Sequence, residues 1–327
     1  MKPKIFVTRP IPTEVEAYLT EYCNCKIWDS KEPTPHDVLL KEIQDVQGIL
    51  TSGSRAKIDK TFLDAAPYLK IVSNIAVGYD QFDLEAMKDR NVIGTHTPHV
   101  LDETVADLVF GLMLGAARRI PELDRQLRNG IWRTEDDNNF GVDVHGKTLG
   151  IIGMGRIGEK IARRAVLGFN MQVMYYNRSR NKEVEEKLNI QYADLQPLLT
   201  NADYIVLMIP LTKETIQFIG EEEFNMMKPN AIFINCSRGQ TVDEKALIMA
   251  LQEEKIRGAG LDVFEKEPID PDNPLLKLDN VVAVPHIGSA TDQTRFDMAM
   301  LAAENLVAGV TGQQPLNVVK ELKHLVV

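Results

Sequence analysis

The chain has 327 residues, 44% of them hydrophobic, which is long for a single core and makes two globular domains the expectation. Lys and Arg total 37 against 47 Asp and Glu, and the net charge of −10 argues against nucleic acid or an anionic membrane surface as the main partner. Cys23, Cys25 and Cys236 are odd in number and lack metal-ligand spacing, so neither a disulfide framework nor a metal site is suggested.

In chain order, Met1 leads directly into Ile5-Phe6-Val7, a strand pattern rather than a signal sequence. The longest apolar run, Leu108 to Ala117, is too short to span a bilayer, so the expectation is a cytoplasmic protein. Strand-type runs recur at residues 4–8, 26–28, 48–50, 69–72 and 91–93, with helical patterns at 12–22 and 34–44 between them. That alternation predicts a small parallel α/β unit. Residues 104–117 form a helical pattern whose only charged member is Asp107, with Asp102 as the expected N-cap. A helix apolar nearly all round is buried on several sides, which predicts packing between domains or subunits. Residues 118–145 are more polar, hold Trp132 and lack a clean period; they read as an extended arm.

The stretch Leu149-Gly150-Ile151-Ile152 then runs into Gly153, Gly155 and Gly158, followed by helical composition from Glu159 to Leu167. A G-x-G-x-x-G between strand and helix has a mechanical meaning. The first glycine permits the tight turn, the second admits a pyrophosphate to the backbone, and the third lets the helix pack on its strand. The anion sits on the N–H groups that open the helix, here those of Arg156 and Ile157. Strand candidates begin near Thr148, Gln172, Tyr204, Ala231, Gly258 and Val281, spaced for one strand plus one crossover helix. Six such strands would complete a doubly wound sheet. The helical pattern at 292–308 must then pack back on the first domain. The predicted fold is therefore α/β with two domains: a Rossmann sheet over residues 101–289, inserted in a smaller flavodoxin-like substrate domain made of 1–100 and 290–327.

Ligands of open parallel sheets bind beyond the carboxyl ends of the strands. There the sequence places Pro210, then Asn235-Cys236-Ser237-Arg238-Gly239, then Asp262 to Glu267, then Pro285-His286. Reducing a 2-keto acid puts negative charge on the C2 oxygen, so a site needs an acid to protonate it and a cation to fix the carboxylate. Arg238 suits the second task through its planar fork, and His286 the first. A carboxylate beside His286 would favour the imidazolium and fix its tautomer; Glu267 is the candidate and Asp262 its nearest competitor. Singly, each has a bland alternative: a surface ion pair for Arg238, a solvated acidic loop for Glu267, a strand-end cap for His286. Their common rim favours the catalytic set. His96 and His99 have no assigned role.

The end of the second strand reports on the cofactor. An NAD site usually has an acidic residue about 20 positions beyond the glycines, whereas arginine accommodates a 2′-phosphate. This chain has Asn177-Arg178-Ser179-Arg180 and no acid until Glu183, so NADPH is preferred and NADH possible.

Taken together, Gly153 to Gly158, Asn235 to Gly239, Gly260 to Pro268 and Pro285 to Ser289 closely resemble the D-isomer-specific 2-hydroxyacid dehydrogenases. Within them the chain is most similar to the glyoxylate/hydroxypyruvate reductase and 2-ketogluconate reductase branch. The resemblance covers essentially the whole chain, including Asn74 to Asp80. It implies that Arg238 binds substrate, His286 is the acid/base and Glu267 its partner. It also implies that Val77 and Gly78 offer N–H groups to a small anionic 2-keto acid across a closing interdomain cleft. Gly153, Gly155, Arg156, Ile157, Gly158, Asn177, Arg178, Ser179, Pro210 and Asp262 form the expected cofactor set. A homodimer through the cofactor domain and the 118–145 arm follows from the same likeness, with hinges near 100 and 289. Formate dehydrogenases have glutamine where Glu267 stands, which disfavours that reaction. The rival readings are an NAD-dependent dehydrogenase of D-lactate or D-3-phosphoglycerate, and a non-enzymatic nucleotide-sensing corepressor or scaffold of the same fold.

Overall fold

The computed structural model describes residues 1–30, 32–53, 56–132 and 139–326. They form two compact units, Met1–Leu101 with Ala290–Val327, and Asp102–Ser289.

The first unit begins β1 (Lys4–Val7), α1 (Thr13–Tyr22), β2 (Asn24–Ile27), α2 (His36–Glu42), β3 (Gly48–Thr51), α3 (Lys60–Ala65), β4 (Ile71–Asn74), α4 (Leu84–Asp89) and β5 (Ile93–Thr95). Its sheet is parallel in the order β2-β1-β3-β4-β5, the flavodoxin-like arrangement. The strands β3 and β4 are buried at every position, as covering helices on both faces require. Asp59 and Asp83 cap α3 and α4 through their side chains, so these short helices have defined starts.

The second unit opens with α5 (Asp102–Ala117) and α6 (Ile120–Arg128). It continues through β6 (Thr148–Ile152), α7 (Arg156–Phe169), β7 (Gln172–Tyr176), α8 (Lys182–Leu188), β8 (Gln191–Tyr192), α9 (Leu195–Asn201) and β9 (Tyr204–Leu207). After these come α10 (Glu221–Met226), β10 (Ile232–Asn235), α11 (Glu244–Gln252), β11 (Gly258–Leu261) and β12 (Val281–Ala283). The strand order is β12-β11-β10-β9-β6-β7-β8, a doubly wound Rossmann sheet whose direction of winding reverses between β6 and β9. Ile151, Ile205 and Phe233 are fully buried in it, each worth about 1.5–3 kcal/mol relative to an exposed position.

Three sequence expectations change here. The sheet has seven strands rather than six, because the gap between β7 and β9 holds the two-residue β8. Two residues are too few to display any period. Asp102 is the first residue of α5 rather than its N-cap, and its buried carboxylate lies 3.3 Å from Arg156 Nε. Within its own unit α5 packs against α7, β10 and β11. Finally, the first part of the supposed arm is the helix α6, started by left-handed Arg119 and Pro121 and tied by the Arg119–Glu122 ion pair. Residues 133–138 of that arm lie outside the described residues.

The chain returns to the first unit through α12 (Asp292–Thr311), capped by the Thr291 hydroxyl and closed by left-handed Gly312. This helix packs on β3, β4 and α1. Asn305 then fastens the tail: its Nδ2 donates to Asn317 Oδ1 at 3.1 Å, and its Oδ1 accepts the Asn317 N–H at 3.0 Å.

Candidate active site

The glycine turn meets the three steric demands of a dinucleotide loop. Gly153 has φ +108°, and a Cβ there would stand 2.3 Å from the Met208 carbonyl oxygen. At Gly158 it would stand 2.4 Å from the Gly153 carbonyl oxygen, where helix crosses strand. At Gly155 it would meet no protein atom within 4 Å, so nothing inside the fold requires a glycine there. What a side chain would obstruct at Gly155 is an approaching ligand. Gly155 is also the N-cap of α7 and makes no side-chain cap, which leaves the opening turn of a 14-residue helix for an anion. Arg156 and Ile157 lie in that turn, with the Arg156 guanidinium drawn to Asp102. The residues present therefore fit a nicotinamide dinucleotide.

Beyond β7, Arg178 and Ser179 are exposed, and Asn177 Nδ2 donates to the Ser179 carbonyl at 3.3 Å. The structure separates the two arginines that the sequence had grouped. Arg180 donates through Nε and Nη2 to the two carboxylate oxygens of Glu185 and lies over the Tyr192 ring. The Arg180 hydrogen bond, helped by Tyr175, holds the Glu185 carboxyl down to about 2. Arg178 makes no ion pair or side-chain hydrogen bond among the described residues, although its charge reaches Glu214, so of the two arginines it is the one whose guanidinium is not tied down at this strand end. Pro210 follows β9 on the same rim, and its carbonyl accepts the Thr215 hydroxyl at 2.7 Å.

Arg238 sits in the turn after β10. Its carbonyl is fixed by Asn235 Nδ2 at 3.1 Å and by the Thr241 hydroxyl at 2.6 Å. Gly239 is the reason this turn can lie where it does, since a Cβ there would fall 1.8 Å from the Phe264 carbonyl carbon. The loop after β11 thus packs directly on the Arg238 turn, and that loop carries Glu267.

Glu267 and His286 come together, with Nδ1 2.7 Å from Oε2. The other carboxylate oxygen, Oε1, accepts the Phe264 N–H at 3.2 Å. Partial burial works to raise the Glu267 carboxyl, but the His286 hydrogen bond and charge, the Phe264 N–H and the Arg238 charge outweigh it and hold it below the ordinary range. With Nδ1 directed at the carboxylate, Nε2 is the ring atom left to exchange a proton with a ligand. The partner of His286 is Glu267 and not Asp262, the competitor weighed from sequence.

Asp262 has a different task. It is 2% exposed, and its oxygens accept the backbone N–H groups of Ile287 at 2.6 Å and Gly288 at 2.9 Å. Burial pushes its carboxyl up, against the pull of those donors and of His286. This anchor holds the turn in which His286 adopts φ +52°, a left-handed conformation that a non-glycine residue keeps only when its surroundings impose it. A buried Asp after a strand gave no hint of this in sequence, because its partners are backbone atoms about 25 positions on.

In the first unit, Val77 and Gly78 lie in the half-buried loop after β4. Their carbonyls are bonded within the unit, whereas neither N–H group has an acceptor among the described residues. Ser52 and Gly53 follow β3, and Ser54 lies outside the described residues. A cavity of 700 Å³ opens in the second unit, but at the amino-terminal edge of its sheet, among Gly115, Arg119, Glu122, Gly258 and Val282. It is remote in topology from the carboxyl rim and takes no part in the site. Among the described residues no helix is long and apolar enough to cross a membrane.

The chain is similar to known proteins along most of its length. Residues 110–288 match the family described as D-isomer specific 2-hydroxyacid dehydrogenase, NAD binding domain. The chain is 47% identical over 313 residues to a glyoxylate/hydroxypyruvate reductase B of Yersinia pestis, covering 95% of each chain. It is 46% identical to a glyoxylate reductase of Korarchaeum cryptofilum, covering 98% and 97%. A solved NADPH-dependent glyoxylate/hydroxypyruvate reductase of Sinorhizobium meliloti, in complex with NADP and malonate, superposes with a TM-score of 0.86 at 35% identity over 98% of both chains. With its glycine turn, its paired histidine and glutamate and these relatives in view, the chain belongs to the D-isomer specific 2-hydroxyacid dehydrogenase family.

Proposed function

We propose that this chain reduces small 2-keto acids, such as glyoxylate, hydroxypyruvate and 2-ketogluconate, to D-2-hydroxy acids, with NADPH preferred and NADH accepted. The observation that carries this reading is the 2.7 Å contact between His286 Nδ1 and Glu267 Oε2, on the rim that also bears the glycine turn and Arg238. When bound, the reduced nicotinamide supplies the hydride that reaches C2. Arg238 holds the substrate carboxylate and polarises the C2 carbonyl. His286 gives its Nε2 proton to the C2 oxygen as charge develops there, and Glu267 stabilises the charged ring and keeps Nε2 pointed at the substrate. The unpaired N–H groups of Val77 and Gly78 are further donors to the carboxylate.

For the cofactor, Gly153, Gly155, Arg156, Ile157 and Gly158 take the pyrophosphate, and Asn177, Arg178 and Ser179 the adenosine ribose with its phosphate. Pro210 and Asp262 complete the set. Preference for NADPH is supported by the exposed Arg178, by the lack of an acidic residue in the stretch from Asn177 to Arg180, and by the NADP-bound Sinorhizobium relative. A cytoplasmic homodimer, joined through the second unit and the 118–145 arm, belongs to the same proposal.

One assay tests the chemistry and the cofactor together. Nicotinamide absorbance is followed with NADPH or NADH against glyoxylate, hydroxypyruvate, pyruvate and 2-ketogluconate, for wild type, His286→Ala and Arg178→Ala. His286→Ala is expected to abolish turnover while still binding cofactor. Arg178→Ala is expected to weaken NADPH about tenfold, about 1.4 kcal/mol, with NADH little changed. Near-normal turnover without His286 would remove it as proton donor, and equal losses for both cofactors would remove Arg178 as the phosphate ligand.

A further inference from the structure

Asn74 and His96 stand outside the reading above, yet both hold the loop that bears Val77 and Gly78. Asn74 ends β4 and is fully buried. Its Nδ2 donates to the Gly78 carbonyl at 2.8 Å, and its Oδ1 accepts the Gly53 N–H at 3.0 Å, so one amide fastens the loops after β3 and β4 to each other. His96, just past β5, places Nδ1 2.9 Å from the Val77 carbonyl oxygen. Its ring is set edge-on to Tyr79, with centroids 5.3 Å apart, and its backbone N–H donates to the Asn317 carbonyl at 3.1 Å. On either side, the Thr97 N–H holds the Ala76 carbonyl at 2.9 Å and the Phe82 N–H holds the Tyr79 carbonyl at 3.0 Å. Four successive carbonyls are therefore fixed.

The planar peptide turns this into a directional device. The C=O of one residue and the N–H of the next point in opposite directions in one rigid plane. Holding the Ala76 carbonyl therefore aims the Val77 N–H, and holding the Val77 carbonyl aims the Gly78 N–H. The first bond comes from backbone, but the second comes from the His96 side chain. We propose that His96 and Asn74 are positioning residues: His96 pins the Val77 carbonyl and so aims the Gly78 N–H, while Asn74 fixes the next peptide at its Gly78 carbonyl and keeps the loop from turning, so that the unpaired N–H groups of Val77 and Gly78 stay presented as a receiver for the substrate carboxylate. This rests on the proposed role of Val77 and Gly78.

Three variants separate donor from bulk. His96→Leu removes the donor, His96→Asn returns an amide donor at about the same reach, and Asn74→Asp keeps the acceptor for Gly53 but loses the donor for Gly78. Each is assayed with glyoxylate at saturating NADPH, alongside NADPH affinity and amide hydrogen exchange of residues 75–80. In His96→Leu and Asn74→Asp, KM for glyoxylate is expected to rise about tenfold, with kcat within about threefold, NADPH affinity unchanged and exchange in the loop faster. His96→Asn should return KM to within about twofold of wild type. Unchanged exchange together with unchanged KM would overturn the clamp itself. Faster exchange with unchanged KM would overturn its service to the substrate, and with it the carboxylate role of Val77 and Gly78. A wild type inactive on every 2-keto acid would remove the function on which the inference rests.

Discussion

Gly239 sets how near the Arg238 turn can come to the loop that carries Glu267. The atoms a Cβ would strike are the Phe264 carbonyl carbon at 1.8 Å and oxygen at 1.9 Å, both backbone, so no side-chain rotation can relieve the clash. Gly239→Ala must displace one loop or the other. Misplacing Arg238 from Glu267 and His286 by about 1 Å is expected to cost about a hundredfold in kcat/KM. NADPH affinity, which depends on another turn, should stay within about threefold. A Gly239→Ala enzyme with wild-type kcat/KM would show that this close approach does not serve the chemistry. In sequence the same glycine reads as an ordinary turn residue. Arg238, Glu267 and His286 could be singled out in sequence as candidates because their residue types follow apolar strands and answer the needs of one reaction. Gly239 and Asp262 were not, because each acts on backbone atoms remote in sequence.

At the scale of elements, the end of β7 and the start of α8 are tied by Glu185, which accepts from Arg180 and from the Tyr175 hydroxyl at 2.7 Å. Its carboxyl lies at about 2 in the folded chain against an ordinary 4.5. A depressed carboxyl stabilises the fold while both states are ionised, and that contribution fades as pH falls from the unfolded value toward the folded one. Glu185→Gln should therefore be less stable than wild type by a constant margin above about pH 4.5, a margin that narrows progressively toward pH 2. Urea unfolding of both proteins at pH 7 and pH 3.5 reads this directly. A margin as wide at pH 3.5 as at pH 7 would mean that the charge of Glu185 is not its contribution. This tie also explains why Arg180 is unsuited to a cofactor phosphate while Arg178, two residues earlier, remains available. The neighbouring β8 was missed for a related reason: it exists as an edge pairing of Gln191 and Tyr192 with β7, not as a hydrophobic period of its own.

At the scale of the whole molecule, two features matter. The first unit is discontinuous, and the Asn305–Asn317 pair, the Thr95–Val318 bridge and α12 close it after the chain has built the second unit. The second feature is unsatisfied surface. Ile120, Leu127, Trp132 and Phe140 are 55%, 51%, 74% and 68% exposed, all from the α6 region and the segment after it. In the homodimer proposed above, a second copy of the chain would cover these side chains. Light scattering of the purified protein is expected to give twice the 36.7 kDa chain mass. A mass of one chain at micromolar concentration would remove the dimer, and Trp132→Asp together with Leu127→Asp should shift a genuine dimer toward that value.

The sequence by itself determined the two parallel sheets, the glycine turn and the chemical identity of Arg238, Glu267 and His286. Strand period, crossover length and residue type are local properties, and a linear reading recovers them. Only the tertiary structure decided which carboxylate meets His286, which arginine at the end of β7 stays uncommitted, and what holds the His286 turn and the loop of Val77. Those outcomes depend on distances of a few ångströms between residues 5 to 25 positions apart, and on backbone N–H and C=O groups. Every residue carries the same two backbone groups, so composition and spacing cannot reveal which of them are already bonded and which are left to receive a ligand.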